Sequence, residues 1–255
     1  MKLKFLGTGT SQGVPVIGCQ CPVCTSQDAK DKRFRTSAMI TTDGGKKILI
    51  DCGPDFRSQM LANAEPTVDA LLVTHEHNDH IIGLDDMRPI IFQNEKNLEI
   101  YCSQRVGTEI KKRFAYAFSE EKYPGVPSFD LNVIENKPFQ LLDTEIVPIE
   151  VIHSRLPIFG YKIKNLAYIT DASFISDEEK QKLQDVDILI LNCLRKTNPH
   201  HSHFILPDVI KLYEELTPKK IYLTHISHQF GKYVEEEVLL PSAISLAYDG
   251  LEIFF

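Results

Sequence analysis

The run Thr74–His80 (THEHNDH) constrains this chain more than any other feature, because it holds three of the nine histidines together with two acidic residues. It directly follows the apolar run Leu71–Val73, which predicts a strand that fixes the position of the loop. Neutral imidazoles bind zinc and similar ions, and carboxylates add hard oxygen ligands. The clustering disfavours the alternative, a solvated polar loop. We predict that four residues of the run bind two adjacent metal ions: His75, His77, Asp79 and His80.

The length and composition predict one domain over residues 1–255. A chain of 255 residues is near the upper limit of a single hydrophobic core, and 43% hydrophobic content is ordinary for a globular enzyme. No stretch approaches the ~18 consecutive apolar residues of a membrane span. The start Met1–Phe5 is typical of a strand and not of a signal peptide. We therefore expect a cytoplasmic protein with no membrane partner.

Charge and cysteine content narrow the classes of partner. The net charge is −7, whereas binding to a phosphate backbone depends on clusters of Lys and Arg. We expect no extended nucleic-acid surface, although a small anionic substrate is compatible with this charge. The basic patch Lys111–Arg113 is expected to be the solvated face of a helix. Six cysteines in a cytosolic chain of this length indicate metal binding or buried thiols instead of disulfides.

Short β-rich runs alternate with helical patterns along the chain, which predicts the α/β class. Runs such as Ala70–Thr74 and Ile188–Asn192 are apolar at nearly every position, as in sheets that are covered on both faces. The segment Ser119–Asp130 is turn-rich and acidic and is predicted to be an inserted loop, and loops of this length often serve as lids. Apolar spacings of three and four predict four helices: Asp55–Ala64, Ser103–Ala117, Ser176–Gln184 and Pro207–Leu216.

Three isolated residues, His153, Asp171 and His225, each end an apolar strand run. Strand ends are where α/β folds place their sites, although a lone histidine or aspartate there is more often structural. Together with the THEHNDH run they complete two sets of three ligands and one carboxylate between them. The sets are His75, His77 and His153 for one ion, and Asp79, His80 and His225 for the other, with Asp171 as the bridge.

This constellation resembles the metallo-β-lactamase superfamily, in which an HxHxDH run, a later His, a bridging Asp and a final His follow in the same order. The resemblance spans nearly the whole chain. It implies an αββα sandwich, in which two mixed β-sheets are flanked by helices and a dinuclear site lies at one edge. It also implies that Asp51, at the end of the run Lys47–Asp51, braces the metal loop. The alternative for Asp51 is a turn former after a strand.

Cys19, Cys21 and Cys24 lie close enough in sequence to share a further metal ion. Three thiols need one more ligand for the closed tetrahedral geometry of structural zinc, and His228 is the best candidate. Structural zinc binds with an apparent free energy of ~10 to 16 kcal/mol, enough to hold such a loop at the active-site edge. The alternative for His228 is a surface histidine.

Within the superfamily, the motifs resemble the cyclic-phosphate phosphodiesterases of bacterial phosphonate utilisation, which are related to the tRNA 3′-processing endonucleases. The segments Leu6–Pro15 and Gly83–Pro89, the three-cysteine run and the HxxH pair that ends at His228 carry this resemblance. The family places one more histidine at the metal centre without making it a ligand. The match falls in His200–His203, where His203 is best placed, just before a predicted helix.

The resemblance implies a metal-dependent phosphodiesterase that hydrolyses a small cyclic phosphate or a nucleotide-like diester. Two Zn or Mn ions at the active site would lower the pKa of a bridging water toward ~7 and stabilise the oxygens at phosphorus, and one structural Zn would lie apart. Asp79 would orient the nucleophile. His203 would stabilise the transition state or protonate the leaving group. Arg88 is the candidate for binding the substrate phosphate.

Other functions stay open at this stage. A tRNA 3′-processing endonuclease is the main alternative, although such enzymes commonly carry a protruding basic arm and the segment Ser119–Asp130 is short and acidic. A glyoxalase-type thioesterase is disfavoured by the cysteine-rich loop and by His203. A non-catalytic binding module would be expected to have lost ligands, and penicillin hydrolysis is least expected because Asp79 is kept. The family also implies a homodimer.

Overall fold

The computed structural model describes residues 1–121 and 123–255. Within these ranges the strands are β1 (Lys2–Gly7), β2 (Ser37–Thr41), β3 (Lys47–Ile50), β4 (Ala70–Leu72), β5 (Leu98–Cys102), β6 (Phe129–Val133), β7 (Phe139–Leu141), β8 (Thr144–His153), β9 (Leu156–Ile163), β10 (Leu166–Ile169), β11 (Ile188–Asn192), β12 (Lys220–Thr224), β13 (Ile244–Leu246) and β14 (Glu252–Phe254). The helices are α1 (Phe56–Ala62), α2 (Asn78–Ile81), α3 (Arg88–Asn94), α4 (Gln104–Arg113), α5 (Asp177–Gln181), α6 (Leu206–Leu216) and α7 (Tyr233–Glu236).

The strands form two mixed sheets of seven strands each within the described ranges. The first sheet has the order β14-β1-β2-β3-β4-β5-β6, and the second has the order β13-β12-β11-β10-β9-β8-β7. Each sheet combines an antiparallel half with a parallel half, which runs from β3 to β6 in the first sheet and from β10 to β13 in the second. The predicted α/β class and the two mixed sheets are confirmed.

Apolar side chains on alternate positions build three stacked layers of core. In β4, Ala70 and Leu72 pack between the two sheets, whereas Leu71 packs on the outer face of the first sheet against α1, α3 and α4. The outer face of the second sheet packs in the same way against α6 and against Ile175 and Leu183, which flank α5. Because both faces of β4 are covered, its sequence is continuously apolar. The arrangement is the expected αββα sandwich.

The parallel halves bring several chain segments to one edge of the sandwich, because the carboxyl ends of parallel strands lie on the same side. In the first sheet, β3 leads into Asp51 and β4 leads into the loop 73–77. In the second sheet, β10 leads into Asp171 and β12 leads into His225. Strand β8 runs in the same direction as β10, since each is antiparallel to β9, and it ends at His153.

All four predicted helices form; Pro207–Leu216 agrees with α6 within one residue, whereas the other three helices are shorter than predicted. Helix α4 ends at Arg113, and the residues that follow form a 3-10 turn over Ala115–Phe118. Helix α5 covers only Asp177–Gln181, although Ser176 caps it as predicted, with its hydroxyl accepting from the backbone N–H of Glu179 at 3.2 Å.

The segment Ser119–Asp130 contains a position outside the described residues, and its predicted role as a lid stays a prediction. The described part enters β6 at Phe129. In the described ranges, no helix has the length and apolar character needed to cross a membrane.

Candidate metal centre

The first predicted ligand set lies together where β4 and β8 end. Nε2 of His75 is 3.0 Å from Nδ1 of His77. The ring centroid of His153 is 5.4 Å from that of His75 and 5.1 Å from that of His77. Nδ1 of His153 donates to the backbone oxygens of Asp171 and Ser202, at 2.7 and 2.9 Å. This bond fixes the tautomer and leaves Nε2 of His153 free as a ligand atom.

The second set, Asp79, His80 and His225, also converges. One potential ligand atom from each of these residues lies within 4.8 Å of the others. Nε2 of His80 is 3.3 Å from Oδ2 of Asp79. Asp79 and His80 are carried by the short helix α2, which begins directly after His77. The helix therefore turns the chain so that one run of sequence contributes to both sets.

Asp171 lies between the two sets. Its Oδ1 is 3.0 Å from Nε2 of His225, and its Oδ2 is 3.4 Å from Nε2 of His80. Oδ2 also accepts a hydrogen bond of 2.6 Å from the hydroxyl of Thr170, which orients the carboxylate. Both of these histidines belong to the second set, and potential ligand atoms of Asp171 also lie within 4.8 Å of those of His75 and of His153, which belong to the first. The carboxylate therefore lies against both sets, as a bridging ligand requires.

Asp51 is fully buried beneath the loop and contacts it at three points. Its carboxylate accepts from the backbone N–H and the hydroxyl of Thr74, both at 2.8 Å, and from Nδ1 of His80 at 2.7 Å. The bond to His80 turns the other ring nitrogen toward Asp79 and Asp171. Asp51 therefore holds the loop from within the sandwich, in the position that the sequence predicts for it.

The backbone at this edge is unusual. Asp51, Asp171 and His225 all have positive φ angles, of 61°, 59° and 54°. Non-glycine residues rarely adopt the left-handed region, and those that do cost of order 1 kcal/mol or more and cluster at functional sites. Three such residues, each within two positions of the end of a strand, indicate that the edge is shaped to direct side chains and not for backbone stability.

Charge and burial at the centre fit a divalent cation. Burial lowers the pKa of His75 well below its ordinary value, so this imidazole is neutral. Burial opposes ionisation of Asp171, but His225 and His80 hold its pKa well below the usual range. Nε2 of His80 and both ring nitrogens of His225 are buried without a hydrogen-bond partner in the described residues. Unpaired buried nitrogens are costly unless a ligand satisfies them, and neutral imidazoles with ionised carboxylates are the forms that bind metal.

The three cysteines of the loop converge on His228, the candidate named for the fourth ligand. Sγ atoms of Cys19, Cys21 and Cys24 lie 3.3, 3.4 and 3.5 Å from Nδ1 of His228. A tetrahedral zinc with Zn–S of ~2.3 Å and Zn–N of ~2.0 to 2.1 Å would place sulfur and nitrogen about 3.6 Å apart. The four residues, called the cysteine knuckle below, therefore fit one zinc ion.

Hydrogen bonds within the cysteine knuckle favour the thiolate form of Cys21, whereas burial and the neighbouring thiols of Cys19 and Cys21 raise the pKa of Cys24 to about 11. The backbone N–H groups of Val16 and Cys24 point at Sγ of Cys24 and Cys21, at 3.3 and 3.4 Å. Burial raises the pKa of Cys21, but the hydrogen bond from Cys24 and the contact with His228 outweigh it and lower the pKa to about 6. Thiolate is the form that binds metal.

His203 lies at the rim of the two ligand sets, as the resemblance implies. Its Nε2 is 3.1 Å from Oδ1 of Asp171, and its ring stacks on that of His225 with centroids 4.7 Å apart. Its Nδ1 contacts the hydroxyl of Ser202 and Nδ1 of His200, at 3.0 and 3.1 Å. Burial lowers the pKa of His203 to about 4. His200 therefore lies behind His203, and the register within the segment favours His203 as the residue that faces the centre.

Arg88, the candidate for binding the substrate phosphate, is already paired with a carboxylate. Its guanidinium pairs with the carboxylate of Asp85 one helical turn earlier, with Nε 3.1 Å from Oδ1, and the hydroxyl of Tyr116 contacts the same carboxylate. The side chain of Arg88 is 36% exposed. Its charge is already matched by Asp85, so a substrate would have to compete with this pair. The predicted role of Arg88 stays a prediction.

Sequence reasoning missed the groups that support the loop from outside. The guanidinium of Arg113 donates to the backbone oxygen of Glu76, and Arg105 lies against the Glu76 carboxylate. Lys111, Lys112 and Arg113 are all exposed, as expected for a solvated face, and Arg113 makes this loop contact in addition. The available signal was the spacing of Arg105 and Arg113 on α4, but it does not say which loop they face.

Comparison with known proteins agrees with this architecture. The sequence profile described as beta-lactamase superfamily domain matches residues 46–226. A crystal structure described as a new diphosphatase from the PhnP family superposes with a TM-score of 0.92 at 38% identity, covering 100% of this chain and 97% of that one. Human tRNase Z, short form, superposes with a TM-score of 0.70 at 20% identity, covering 100% and 99%.

A curated relative from Porphyromonas gingivalis, named octanoyltransferase, is 44% identical over 253 residues. The match covers 99% of this chain but only 51% of that protein, so the chain spans about half the length of this relative. The family profile covers well over half of the chain, and the PhnP-family structure matches over its whole length. The chain therefore belongs to the beta-lactamase superfamily and, within it, to the PhnP family.

Proposed function

We propose that this chain is a metal-dependent phosphodiesterase that hydrolyses a small cyclic phosphate or a nucleotide-like phosphodiester. The observation that carries the proposal is the position of His203, whose Nε2 lies 3.1 Å from the carboxylate between the two ligand sets. Neither set of three needs this imidazole. A group that can donate a hydrogen bond at the rim of two cation sites is suited to a phosphoryl oxygen or a leaving alkoxide.

In this proposal the metal centre consists of two sites and one bridge. His75, His77 and His153 would hold one cation, Asp79, His80 and His225 would hold the second, and Asp171 would contribute to both sites. Bound Zn or Mn ions supply Lewis acidity and activate water at neutral pH. The cysteine knuckle binds one further zinc ion with a structural role.

The residues of the chain divide the remaining work. The carboxylate of Asp79, held at 3.3 Å from His80, orients the attacking water along the line through phosphorus. Asp51 keeps His80 in the tautomer that turns Nε2 to the centre. His203 donates its Nε2 proton in a hydrogen bond to a non-bridging oxygen or to the leaving group. Such acid–base assistance typically contributes ~10² to 10⁴ in rate.

The similar PhnP-family structure supports a phosphorus-containing substrate without identifying which one. The 38% identical structure is described as a diphosphatase, so a phosphoanhydride belongs in the same test as a diester. Octanoyl transfer is not carried over, because this chain matches about half of the protein with that name. The small phosphodiester partner, the homodimer and the cytoplasmic location stay predictions.

A parallel assay tests the reaction class. Zinc- and manganese-loaded protein would be offered bis(p-nitrophenyl) phosphate, a ribose cyclic phosphate, a nucleoside diphosphate derivative, a precursor tRNA and an octanoyl thioester. We expect turnover of the diester and the cyclic phosphate. Turnover of the thioester alone would eliminate the phosphodiesterase, and cleavage of precursor tRNA in preference to the small diesters would establish the endonuclease instead.

A further inference from the structure

Glu76 lies between His75 and His77 but takes no part in either ligand set. The two imidazoles turn toward each other, with nitrogens 3.0 Å apart, whereas the Glu76 carboxylate turns away toward α4. Its Oε1 is 3.2 Å from Nε of Arg105, and its side chain is only 13% exposed. A carboxylate that is largely withdrawn from water beside a cationic partner is a specific contact and not a solvated surface charge.

Helix α4 contacts Glu76 near both of its ends. In the first turn, Arg105 reaches the Glu76 carboxylate and also donates to the backbone oxygen of Pro157 at 2.7 Å, at the start of β9. In the last turn, the guanidinium of Arg113 donates to the backbone oxygen of Glu76, and Glu109 lies 3.6 Å from that guanidinium. Both the side chain and the main chain of Glu76 are therefore held by α4, and Arg105 also connects Glu76 to the second sheet.

His77 is the ligand candidate that depends most on such support. In the other two histidines of the loop, the ring nitrogen that faces away from the centre has a partner: Nδ1 of His75 is 3.0 Å from the Thr74 hydroxyl and Nδ1 of His80 is 2.7 Å from Asp51. Nε2 of His77, by contrast, has no hydrogen-bond partner among the described residues, and His77 is exposed. Its ring must be positioned through the backbone, and Glu76 is the preceding residue.

We propose that Glu76, Arg105 and Arg113 form a clamp that positions His77 for cation binding. The proposal rests on the proposed function, because it assumes that His75, His77 and His153 bind a metal ion. Supporting partners of metal ligands typically contribute ~10 to 100-fold in affinity. Opening the clamp therefore weakens that one site by ~10 to 100-fold, and the cysteine knuckle keeps its ion.

The test compares Glu76→Gln, Arg105→Gln and the double variant with the full-length protein. Zinc would be titrated into metal-free protein against a chromophoric chelator, which resolves the dissociation constant of each equivalent, and the visible spectrum of the cobalt-loaded protein would report ligand geometry. We expect one equivalent to weaken by ~10 to 100-fold in each single variant. The double variant should be no weaker than the worse single variant, because the two residues act as one unit.

Lys112→Ala is the matched control, because Lys112 lies on the same helix with its side chain 75% exposed. It should leave every dissociation constant unchanged. A purely structural contact would lower the unfolding free energy of the metal-free Glu76→Gln protein without changing its zinc affinities, and that result would overturn the clamp. If His77→Ala binds as many equivalents as the native protein, the proposed metal site itself is wrong, which separates the two failures.

Discussion

The carboxylate of Asp51 accepts a 2.7 Å hydrogen bond from Nδ1 of His80, and this bond turns Nε2 of the same ring toward Asp79 and Asp171. One buried residue, on a different strand from the THEHNDH run, therefore sets the direction of a ligand atom. The same carboxylate accepts from the backbone N–H and the hydroxyl of Thr74, so it orients the beginning and the end of the loop together.

Replacing Asp51 with Asn should weaken both the loop and the metal centre. Asn keeps one acceptor oxygen but turns an amide donor toward groups that already donate. An unsatisfied buried group costs ~1 to 3 kcal/mol of unfolding free energy, and metal affinity should fall by ~10 to 100-fold. Urea unfolding and chelator competition would measure the two effects.

Asp69→Asn is a suitable control for this substitution, because Asp69 also accepts from a backbone N–H, that of Lys47 at 2.7 Å, but at the opposite end of the neighbouring strand. It should change stability without changing metal affinity. Equal metal affinity in the Asp51→Asn and native proteins would contradict the role given to Asp51.

Cys21→Ser should remove about one metal equivalent per chain and leave the dinuclear centre filled. Serine is a poor ligand for zinc, so the tetrahedral set with His228 is broken. Metal analysis of the purified variant, together with Cys102→Ser as a control in the buried core, would measure the loss. Full metal content in Cys21→Ser would remove the structural zinc from the proposal.

His203→Ala should lower phosphodiester turnover by ~10² to 10⁴-fold while the metal content stays the same. The reason is that Nε2 of His203 faces the bridging carboxylate but belongs to neither set of three. His201→Ala, an exposed neighbour on the same loop, should keep native turnover. Unchanged turnover in His203→Ala, measured as kcat with bis(p-nitrophenyl) phosphate, is the outcome that would rule out its role.

The buried carboxylate of Asp249 should make the stability of the fold depend on pH. Its carboxylate accepts from the Thr8 hydroxyl and the backbone N–H of Phe34, at 2.7 and 2.6 Å. Burial nevertheless raises its pKa from 3.8 to about 6. The folded state therefore binds this proton more tightly than the unfolded state. The stabilising contribution is complete below the unfolded value of 3.8 and is lost as the pH rises through about 6.

Asp249→Asn isolates this contribution, because Asn can still accept from Phe34 and donate to Thr8. The unfolding free energy of the native protein minus that of Asp249→Asn should fall by ~2 kcal/mol between pH 4 and pH 7, because most of the difference between 3.8 and about 6 is lost in that range, at 1.36 kcal/mol per pKa unit. Denaturation curves at matched metal concentration would measure this difference. A difference that does not vary with pH would mean that Asp249 is not the titrating group.

The parts of the site that were predictable from sequence share a local cause. The loop after β4 carries its candidate metal ligands within one short run of sequence. His153, Asp171 and His225 each lie at the end of an apolar run that can be recognised as a strand from sequence. Parallel strands bring such ends to one edge, so the convergence follows from topology. The three closely spaced cysteines are local in the same sense, and only His228 had to be added from elsewhere.

The parts that were missed depend on contacts between distant segments. Strand β6 has polar residues at alternate positions, Asp130 and Asn132, and forms at the sheet edge because it pairs with β5. The short strands β7 and β13 pair only on one side within their sheet. The pairing of Glu76 with Arg105 joins residues from different elements, and neither residue differs in sequence from an ordinary surface charge.

The positive φ angles at Asp51, Asp171 and His225 imply a conflict between the stability of the fold and the activity of the site. Glycine or asparagine would adopt these backbone conformations at lower cost, so a search for variants that survive heating should favour such replacements at all three positions. Each replacement would remove a side chain that the centre needs. The most heat-resistant descendants of this sequence would then be folded proteins that have lost their chemistry.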